Sequence, residues 1–571
     1  MSKPIYFSLL FLFLSGVFDC QAQDANKKPK RIDTQIDSRI TNYIESIIPG
    51  ERTPGIAVAV VQDGQVTYAN GFGMADVEHN IPITTNTVFG LASVSKQFTA
   101  LAIALLIESK DLSLDGDIHL YLPEVPDFKR PILVRHLLFH TSGIRDWSSS
   151  LTLAGIKNEN VFTKKTINRF IQSQRDLNFD PGTEYAYSNT NYFILAELLE
   201  KLNKAEFSDI LDQKIFSPLG MRDTGVRNFH GQLIANIATG HSVNDTELVR
   251  VNDGSDTHGD SQIYSTVADL AKWVINFQTQ GVYSDTIFDL VNSQGHLDTG
   301  GLISYGFGNQ VESYKGHRAI THGGSCCGYN TQIIRFPRAN LGIVVLTNFR
   351  LFDANDIAFK IADLYLADSD IQYSEIEESP LTKAVKLTRD ELKTFEGVYW
   401  NDIGAYSRTI LLKDGDLFYR RTDGSENILQ SIGNNQFKML GVKPNIRLKI
   451  NNENDQSTLV LTVDDNKPIR FSRIVPANYT QKSFTKYQGS FYSSELDTLY
   501  HVKTKGEKLV AAHSILGEIP LNPTIKEGIF IGNLEYRLKI EFTQDVNGTA
   551  NGLLMSYDRD RDIVFKRIDL D

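Results

Sequence analysis

The chain has 571 residues, of which 41% are hydrophobic and 22% are charged, a balance typical of soluble globular proteins rather than of disordered or fibrous ones. This length exceeds a single ordinary core and predicts about three domains. The formal net charge of −11 and the lack of a long basic run exclude a nucleic-acid-binding surface, because such surfaces need clustered lysine and arginine.

The first residues, 1–22, are predicted to be a secretory signal peptide. Lys3 precedes an apolar run from Ile5 to Phe18, and small residues follow at the spacing of a cleavage site. The run is too short to span a bilayer comfortably, and no later stretch reaches transmembrane length. We therefore expect an exported protein, in the periplasm or outside the cell. A lipid anchor on Cys20 is the alternative, which the bulky and charged residues immediately before it disfavour.

Residues 31–368 mix strands and helices and are predicted to form the first domain. Apolar strand pairs stand near both ends, at 55–71 and 331–348, and the predicted helices between them include Val94 to Lys110 and Tyr192 to Leu202. Strands at both ends with helices between them predict one antiparallel sheet packed against helices, an α+β fold.

The later part of the chain changes character. Residues 369–388 are acidic and polar and are predicted to be a linker. Short alternating strands with frequent turns then predict two β domains, at 389–476 and 482–571. The two form an internal repeat, since Phe395 to Tyr399 is matched by Tyr487 to Phe491. Each is therefore predicted to be a small antiparallel barrel or sandwich.

Ser93 and Lys96 are the first residues whose pattern indicates chemistry. They are three apart at the start of an apolar helical pattern and share a face if the segment is helical. A buried ammonium has a lowered pKa, so Lys96 could take the proton of a serine hydroxyl, which is otherwise a poor nucleophile. The spacing alone is weak evidence. It recurs at Ser483 and Lys486, where no apolar helix follows and solvated surface residues are predicted.

Two further groups follow in chain order. Tyr187 could relay a proton, and Asn189 could hold a substrate amide, although the same Tyr-x-Asn spacing also occurs in two predicted strands as ordinary packing. His322 ends a short predicted strand and is followed by Gly323 and Gly324, which would let a substrate lie against the strand edge. Taken alone, His322 is a satisfied core or turn histidine.

In this order the three groups resemble the penicillin-recognising serine hydrolases, which include class C β-lactamases, D-alanyl-D-alanine carboxypeptidases, D-aminopeptidases and related esterases. The resemblance covers residues 40–365. Three further segments match familiar stretches of these proteins: His140 to Ile144, Ser217 to Met221 and Tyr264 to Leu270.

The resemblance implies a role for each residue. Ser93 would attack the carbonyl and form an acyl-enzyme, while Lys96 and Tyr187 would share the proton transfers, with the identity of the base left open. The backbone N–H groups of Ser93 and Ser325 would form the oxyanion hole. The implied substrate-binding residues are Asn189, His322, Gly324 and Ser325.

Two features narrow the resemblance. His322 stands where β-lactamases carry a lysine, and the histidine form is similar to D-aminopeptidases and some carboxypeptidases. The two β domains also follow the layout of the D-aminopeptidases, whose eight-stranded lipocalin-like domains reach the active site. Whether they do so here, or only stabilise the protein or mediate contacts between chains, is open from the sequence.

Cysteine and histidine spacing indicates no metal or cofactor. Cys326 and Cys327 are adjacent, where a disulfide is strained, and they are predicted to be packing residues. No histidine or cysteine pattern of a zinc site is present.

The leading interpretation is therefore a hydrolase that cleaves a small peptide or amide, including one with a D-residue, without a metal or cofactor. An esterase or β-lactamase on the same machinery is the first alternative. A non-catalytic ligand-binding or sensor protein is the second, which the joint presence of Lys96 and Tyr187 disfavours. The acyl donor, its chirality and the formation of a homo-oligomer stay open.

Overall fold

The computed structural model describes most of the chain, namely residues 34–156, 160–366, 385–442, 444–453, 456–464 and 468–569. The predicted signal peptide, Cys20 and most of the predicted linker lie outside these residues. Among the described helices, none combines the length and the apolar character that crossing a membrane would need.

Residues 34–366, called here the sheet unit, contain a large sheet and its helices. The strands are β1 (Ile56–Gln62), β2 (Gln65–Phe72), β3 (Met74–Asp76), β4 (Ile81–Pro82), β5 (Phe89–Gly90), β6 (Gly225–Val226), β7 (His241–Asn244), β8 (Glu247–Arg250), β9 (Ile263–Ser265), β10 (Gln294–His296), β11 (Leu302–Gly306), β12 (Gln310–Tyr314), β13 (His317–Cys326), β14 (Tyr329–Phe336) and β15 (Leu341–Thr347). The helices are α1 (Thr34–Ile47), α2 (Lys96–Glu108), α3 (Val134–Leu138), α4 (Trp147–Leu153), α5 (Lys164–Ser173), α6 (Asn189–Asn203), α7 (Phe207–Leu211), α8 (Val267–Thr279), α9 (Asp285–Val291) and α10 (Ala354–Leu366).

The main sheet is antiparallel, with the strand order β10-β11-β12-β13-β14-β15-β1-β2. Alternate residues of β1 serve its two faces, as the two-residue period of a strand requires. Ile56 and Val58 pack with α1 and α10, whereas Ala57 and Ala59 pack with the core that includes α2, α6 and α8. Both faces are therefore covered by helices, and the predicted α+β fold is confirmed.

Two closed barrels follow the sheet unit and the short helix α11 (Arg389–Lys393). The first barrel consists of β16 (Gly397–Asn401), β17 (Tyr406–Lys413), β18 (Asp416–Arg420), β19 (Glu426–Gly433), β20 (Gln436–Met439), β21 (Ile446–Glu453), β22 (Gln456–Val463) and β23 (Ile469–Ile474). The second barrel consists of β24 (Gly489–Ser493), β25 (Thr498–Lys505), β26 (Lys508–His513), β27 (Gly517–Pro523), β28 (Ile529–Asn533), β29 (Arg537–Gln544), β30 (Ala550–Tyr557) and β31 (Asp560–Ile568).

The internal repeat of the sequence produces the same closure in both barrels. Tyr399 lies opposite Arg473 where the first barrel closes, and Phe491 lies opposite Arg567 where the second one does. The predicted small β domains are thus barrels and not sandwiches.

The two barrels differ in their packing. The interior of the second barrel is continuous with the core of the sheet unit, whereas the first barrel has a hydrophobic core of its own. Tyr500 of the second barrel donates a buried hydrogen bond to the carbonyl of Leu153, at 2.8 Å. Trp400 of the first barrel packs against Ile529 of the second. The second barrel is therefore held firmly against the sheet unit.

The recurring motifs outside the candidate site have ordinary environments. Tyr68 and Tyr399 are buried in strands, where their rings contribute to packing. Ser483 donates to a nearby backbone carbonyl, and Lys486 pairs with Glu527 at 2.6 Å. Ser483 and Lys486 thus form no catalytic pair.

Candidate active site

Ser93 lies in a 3₁₀ turn, Ala92–Ser95, that leads directly into α2. The sequence predicts a helix from Val94, so the first turn is tighter than expected. Ala92 has a φ of 48°, in the left-handed region that is strained for any residue with a side chain. The turn leaves Ser93 partly exposed, while Lys96 at its end is 0% exposed.

Lys96 connects Ser93 to the rest of the site. Its Nζ donates to Ser93 Oγ at 3.2 Å, to Asn189 Oδ1 at 2.8 Å and to the backbone carbonyl of Asp260 at 2.8 Å. Burial lowers the pKa of Lys96 to about 7, and the nearby Asp260 carboxyl opposes this shift. Lys96 therefore exchanges between ammonium and amine near neutral pH, within hydrogen-bond distance of Ser93 Oγ.

This pKa predicts how acylation of Ser93 depends on pH. Only the neutral amine can accept the serine proton, and its fraction rises as the pH rises through the Lys96 pKa of about 7. The rate constant for acylation should therefore fall about tenfold per pH unit on the acid side and level off above the pKa. Stopped-flow acylation by an activated ester, followed from about pH 5 to about pH 9, measures this profile. A flat or inverted profile would contradict it.

Tyr187 is packed against the ammonium and against His140. Lys96 Nζ lies 5.0 Å from the centre of the Tyr187 ring, and the His140 ring is 4.2 Å away between centroids. The Tyr187 hydroxyl is buried and makes no hydrogen bond of ordinary geometry within the described residues. Burial raises the pKa of Tyr187, while the neighbouring Ser93 hydroxyl acts in the opposite direction. The phenol therefore stays protonated at neutral pH.

His140 belongs to the segment His140 to Ile144, one of those that resemble the family, and its contacts show what the segment does in the structure. It is fully buried and accepts hydrogen bonds at Nδ1 from the Ser188 N–H and from the Asn191 amide, both at 3.2 Å. Burial holds the pKa of His140 well below its usual range, so the ring is neutral. His140 thus supports the ring of Tyr187 and the start of α6.

Asn189 begins α6 and faces Lys96. Its Oδ1 accepts the hydrogen bond from Lys96, and its amide nitrogen is a further donor that could bind a substrate. Its backbone N–H donates to Asp146 Oδ2 at 2.6 Å. The structure thus gives Asn189 a direct contact with Lys96 in addition to any contact with substrate.

His322 lies inside β13, which continues to Cys326, whereas the sequence predicts that the strand ends at His322. Its Nδ1–H donates to the Gly323 carbonyl at 2.7 Å, and the Tyr305 hydroxyl therefore donates to its Nε2, at 3.0 Å. Burial lowers the pKa of His322 to about 3, with Lys96 acting in the same direction. His322 is accordingly a neutral group with both ring nitrogens bonded, and it supplies no positive charge.

The edge of β13 is open beside His322. Pairing with β12 ends at Thr321, whereas pairing with β14 continues to Cys326. A Cβ on Gly324 would lie 2.3 Å from the Leu91 carbonyl oxygen and 3.0 Å from the Ser93 backbone nitrogen. Glycine thus lets the turn that carries Ser93 lie against the strand, one residue before exposed Ser325. An oxyanion hole built from both backbone N–H groups requires this approach.

Cys326 ends β13 and Cys327 follows it, and their sulfur atoms are bonded to each other. Cys326 is exposed and Cys327 is partly buried. The prediction that both are packing residues is therefore wrong for Cys326, which lies exposed at the end of the strand.

One group of acidic and histidine side chains among the described residues has ligand atoms close enough for a cation, namely Glu197, Glu200 and His258. Lys164 pairs with both glutamates, at 2.6 Å for Glu197. The ammonium already occupies both carboxylates with an ion pair, and the absence of a metal cofactor stays a prediction.

Four residues that belong to none of the predicted motifs also lie at the site, among them Tyr305, which bonds His322. The Asp260 carbonyl binds Lys96, Asp146 binds Asn189, and Arg559 of the second barrel lies against Tyr187, with Cζ 5.1 Å from the ring centre. Only Arg559 had a signal in the sequence, the alternating charges Asp558 to Asp562 at a hairpin turn.

Comparison with known proteins identifies the family. The sequence model of the Beta-lactamase family matches residues 36–365, more than half of the chain. The chain belongs to the Beta-lactamase family. Ser93 and Lys96 both lie within the matched range.

Two curated relatives are similar to this Beta-lactamase family member over more than half of its length. A D-aminopeptidase of Brucella anthropi is 28% identical over 346 residues, which are 60% of this chain and 64% of that protein. Penicillin-binding protein 4* of Bacillus subtilis strain 168 is 27% identical over 399 residues, 66% of this chain and 83% of that protein. The chain thus spans less than two thirds of the Brucella relative.

Solved structures agree on the fold. The octameric penicillin-binding protein homologue from Pyrococcus abyssi is 23% identical, with 76% of this chain and 99% of that chain covered and a TM-score of 0.52. A penicillin-binding protein from Bacillus halodurans is also 23% identical, with 57% and 99% covered and a TM-score of 0.50. At these identities the likeness is one of fold alone.

Proposed function

We propose that this protein hydrolyses a small peptide or amide, including one with a D-residue, through an acyl-enzyme on Ser93. The observation that carries the proposal is the 3.2 Å hydrogen bond between Ser93 Oγ and the buried Nζ of Lys96. Burying an amine destabilises the folded protein, and ligand binding alone gives no reason for such a burial. Lys96 is therefore better explained as the base of a hydrolase than as part of a sensor.

Within this proposal Lys96 is the base and Tyr187 is the relay. Burial moves the pKa of Lys96 down to about 7 and the pKa of Tyr187 up, so the amine is available near neutral pH and the phenolate is not. Ser93 Oγ attacks the carbonyl carbon while its proton passes to Lys96 Nζ. The backbone N–H groups of Ser93 and Ser325 then stabilise the oxyanion.

The intermediate then collapses and the C–N bond breaks. The leaving amine takes the Tyr187 hydroxyl proton, which the Lys96 ammonium replaces. Water next attacks the acyl ester, its proton passes to the amine of Lys96, and cleavage of the C–O bond returns the proton to Ser93. Water is the only co-reactant, and atoms and charges balance without an oxidant or a cofactor.

The relatives support the substrate class. They are named as a D-aminopeptidase and as a penicillin-binding protein, and they align with this chain over 346 and 399 residues. Neutral His322 removes the positive charge that β-lactamases have at this position, which weighs against a dedicated β-lactamase. Arg559 of the second barrel lies over Tyr187 and narrows the site, which favours small substrates.

A matched substrate panel tests this assignment. Short peptides with a D- or an L-residue on the acyl side, each as an amide and as the corresponding ester, should be compared by kcat/KM on wild type. We expect turnover of the amides, with the D-residue favoured. Turnover of esters alone would instead support the esterase alternative.

Three further parts of the proposal rest on the sequence alone. Residues 1–22 would direct export to the periplasm or beyond the cell. The domains would be 31–368 for catalysis, with 389–476 and 482–571 as the β domains. A homo-oligomer is a further proposal.

A further inference from the structure

The turn between β30 and β31 of the second barrel enters the sheet unit beside the nucleophile. Arg559 at its tip has its Cζ 5.1 Å from the centre of the Tyr187 ring, and its Nη1 donates to Asp146 Oδ2 at 3.2 Å. Asp146 is 0% exposed, whereas the Arg559 side chain is 37% exposed. A cation of the barrel thus lies between solvent and the catalytic groups.

Asp146 connects Arg559 to Asn189. The same Oδ2 accepts the backbone N–H of Asn189 at 2.6 Å, and Oδ1 accepts the N–H groups of Ser148 and Ser149 at the start of α4. Asn189 in turn accepts the hydrogen bond from Lys96, which donates to Ser93. An unbroken series of polar contacts therefore runs from Arg559 to the nucleophile.

Other residues of the turn suffice to hold it in place. Asp560 accepts from the Asp146 N–H at 2.7 Å, Asp558 accepts from Ser149 Oγ at 2.7 Å, and Arg561 pairs with Glu184 at 3.1 Å. None of these three contacts involves Tyr187. Docking of the turn thus has contacts that do not need the guanidinium of Arg559, which lies against Tyr187, Asp146 and Asp558.

We propose that Arg559 is a positioning residue for acyl transfer, through which the second barrel completes the active site by fixing Asp146, Asn189 and the ring of Tyr187. The proposal rests on the function proposed above. It also implies that the acyl-transfer machinery is incomplete in the sheet unit alone.

The charge of Arg559 gives this role a signature in the pH profile. A second cation near Lys96 disfavours its ammonium form and so helps to keep the amine neutral. The charged and titratable groups around Lys96 are Asp260, Arg559, Asp146, Tyr187, Tyr192, His140 and His322. Removing the Arg559 charge should therefore raise the pKa of Lys96.

The test compares Arg559→Gln with Arg561→Gln, a matched arginine of the same turn with a similar exposed fraction. Arg559→Gln should acylate about 10- to 100-fold more slowly than wild type. The acid side of its pH profile should move up by about half a unit to one unit. Arg561→Gln should keep the position of the profile, and Arg559→Lys should retain it while losing part of the rate. Thermal unfolding of all variants shows that they are folded.

Three outcomes would overturn the inference. In the first, Arg559→Gln has the rate and profile of wild type. In the second, both glutamine variants lose rate equally with unmoved profiles, which would leave docking as the only role. In the third, folded wild type forms no adduct on Ser93, which would contradict the proposed function and remove this inference with it. If wild type forms the adduct and Arg559→Gln keeps the wild-type rate and pH profile, only this inference is contradicted.

Discussion

Replacing Lys96 with methionine is expected to slow acylation of Ser93 by about 10²- to 10⁴-fold. Methionine keeps the length of the side chain but cannot accept a proton, and the protonated phenol of Tyr187 cannot replace it near neutral pH. The remaining rate should also lose its dependence on pH near 7, where burial places the pKa of Lys96. Single-turnover kinetics with an activated ester measures both effects.

Lys486→Met is the matched control for this prediction. Lys486 occupies the same place in the second Ser-x-x-Lys sequence but pairs with Glu527 at the surface, so its variant should acylate at the wild-type rate. Near-ultraviolet circular dichroism of Lys96→Met checks the fold. A folded Lys96→Met protein with a loss of less than about tenfold would exclude Lys96 as the base.

Replacing Glu495 with alanine is expected to destabilise the protein by about 3–5 kcal/mol. Glu495 of the second barrel pairs with Arg145 of the sheet unit at 2.7 Å, and their side chains are 6% and 2% exposed. The variant leaves a buried guanidinium without its carboxylate. The resulting loss of folding free energy is much larger than the stabilisation that an exposed ion pair provides. Urea unfolding followed by tryptophan fluorescence measures the change in free energy.

Glu518→Ala provides the comparison on the same barrel. Glu518 pairs with Lys503 and Lys505 at the surface, where solvent screens the charges, and its loss should leave the free energy of unfolding unchanged within error. Equal stability of Glu495→Ala and wild type would show that the Arg145 pair does not hold the second barrel on the sheet unit.

Local patterns were enough to predict the fold. The alternation of apolar residues in strands such as β1 and the matched segments at Tyr399 and Phe491 are local signals of strands and of a repeat. The end of β13 was less well predicted, since two glycines after His322 interrupt the pattern while the backbone continues in the ladder with β14. Pairing with a neighbouring strand, rather than local propensity, decides such boundaries.

The candidate site was predicted only where its residues belong to short motifs. Ser93 and Lys96 are three residues apart on one turn, so their spacing in the sequence is enough to predict their contact. Arg559 meets Asp146 across 413 residues of sequence, and no local pattern encodes that approach. Alternating charges at a hairpin turn are ordinarily solvated, which is why the turn of the second barrel gave no functional prediction.

The electrostatic state of the site was also beyond the sequence. A histidine followed by two glycines could be charged or neutral, and it is the burial of His322, together with the nearby Lys96, that lowers its pKa and makes it neutral. In the same way, the choice between Lys96 and Tyr187 as base depends on burial, which lowers the pKa of Lys96 and raises the pKa of Tyr187. Both effects arise from tertiary packing around the motifs.

The most direct test of the acyl-enzyme on Ser93 is intact-protein mass spectrometry after exposure to a fluorophosphonate or a penicillin. Wild type and Ser483→Ala should each gain the mass of one adduct, and Ser93→Ala should gain none. Ser483 is the control because it belongs to the second Ser-x-x-Lys sequence and bonds to a backbone carbonyl at the surface. An adduct that persists in Ser93→Ala, or folded wild type without any adduct, would contradict the account.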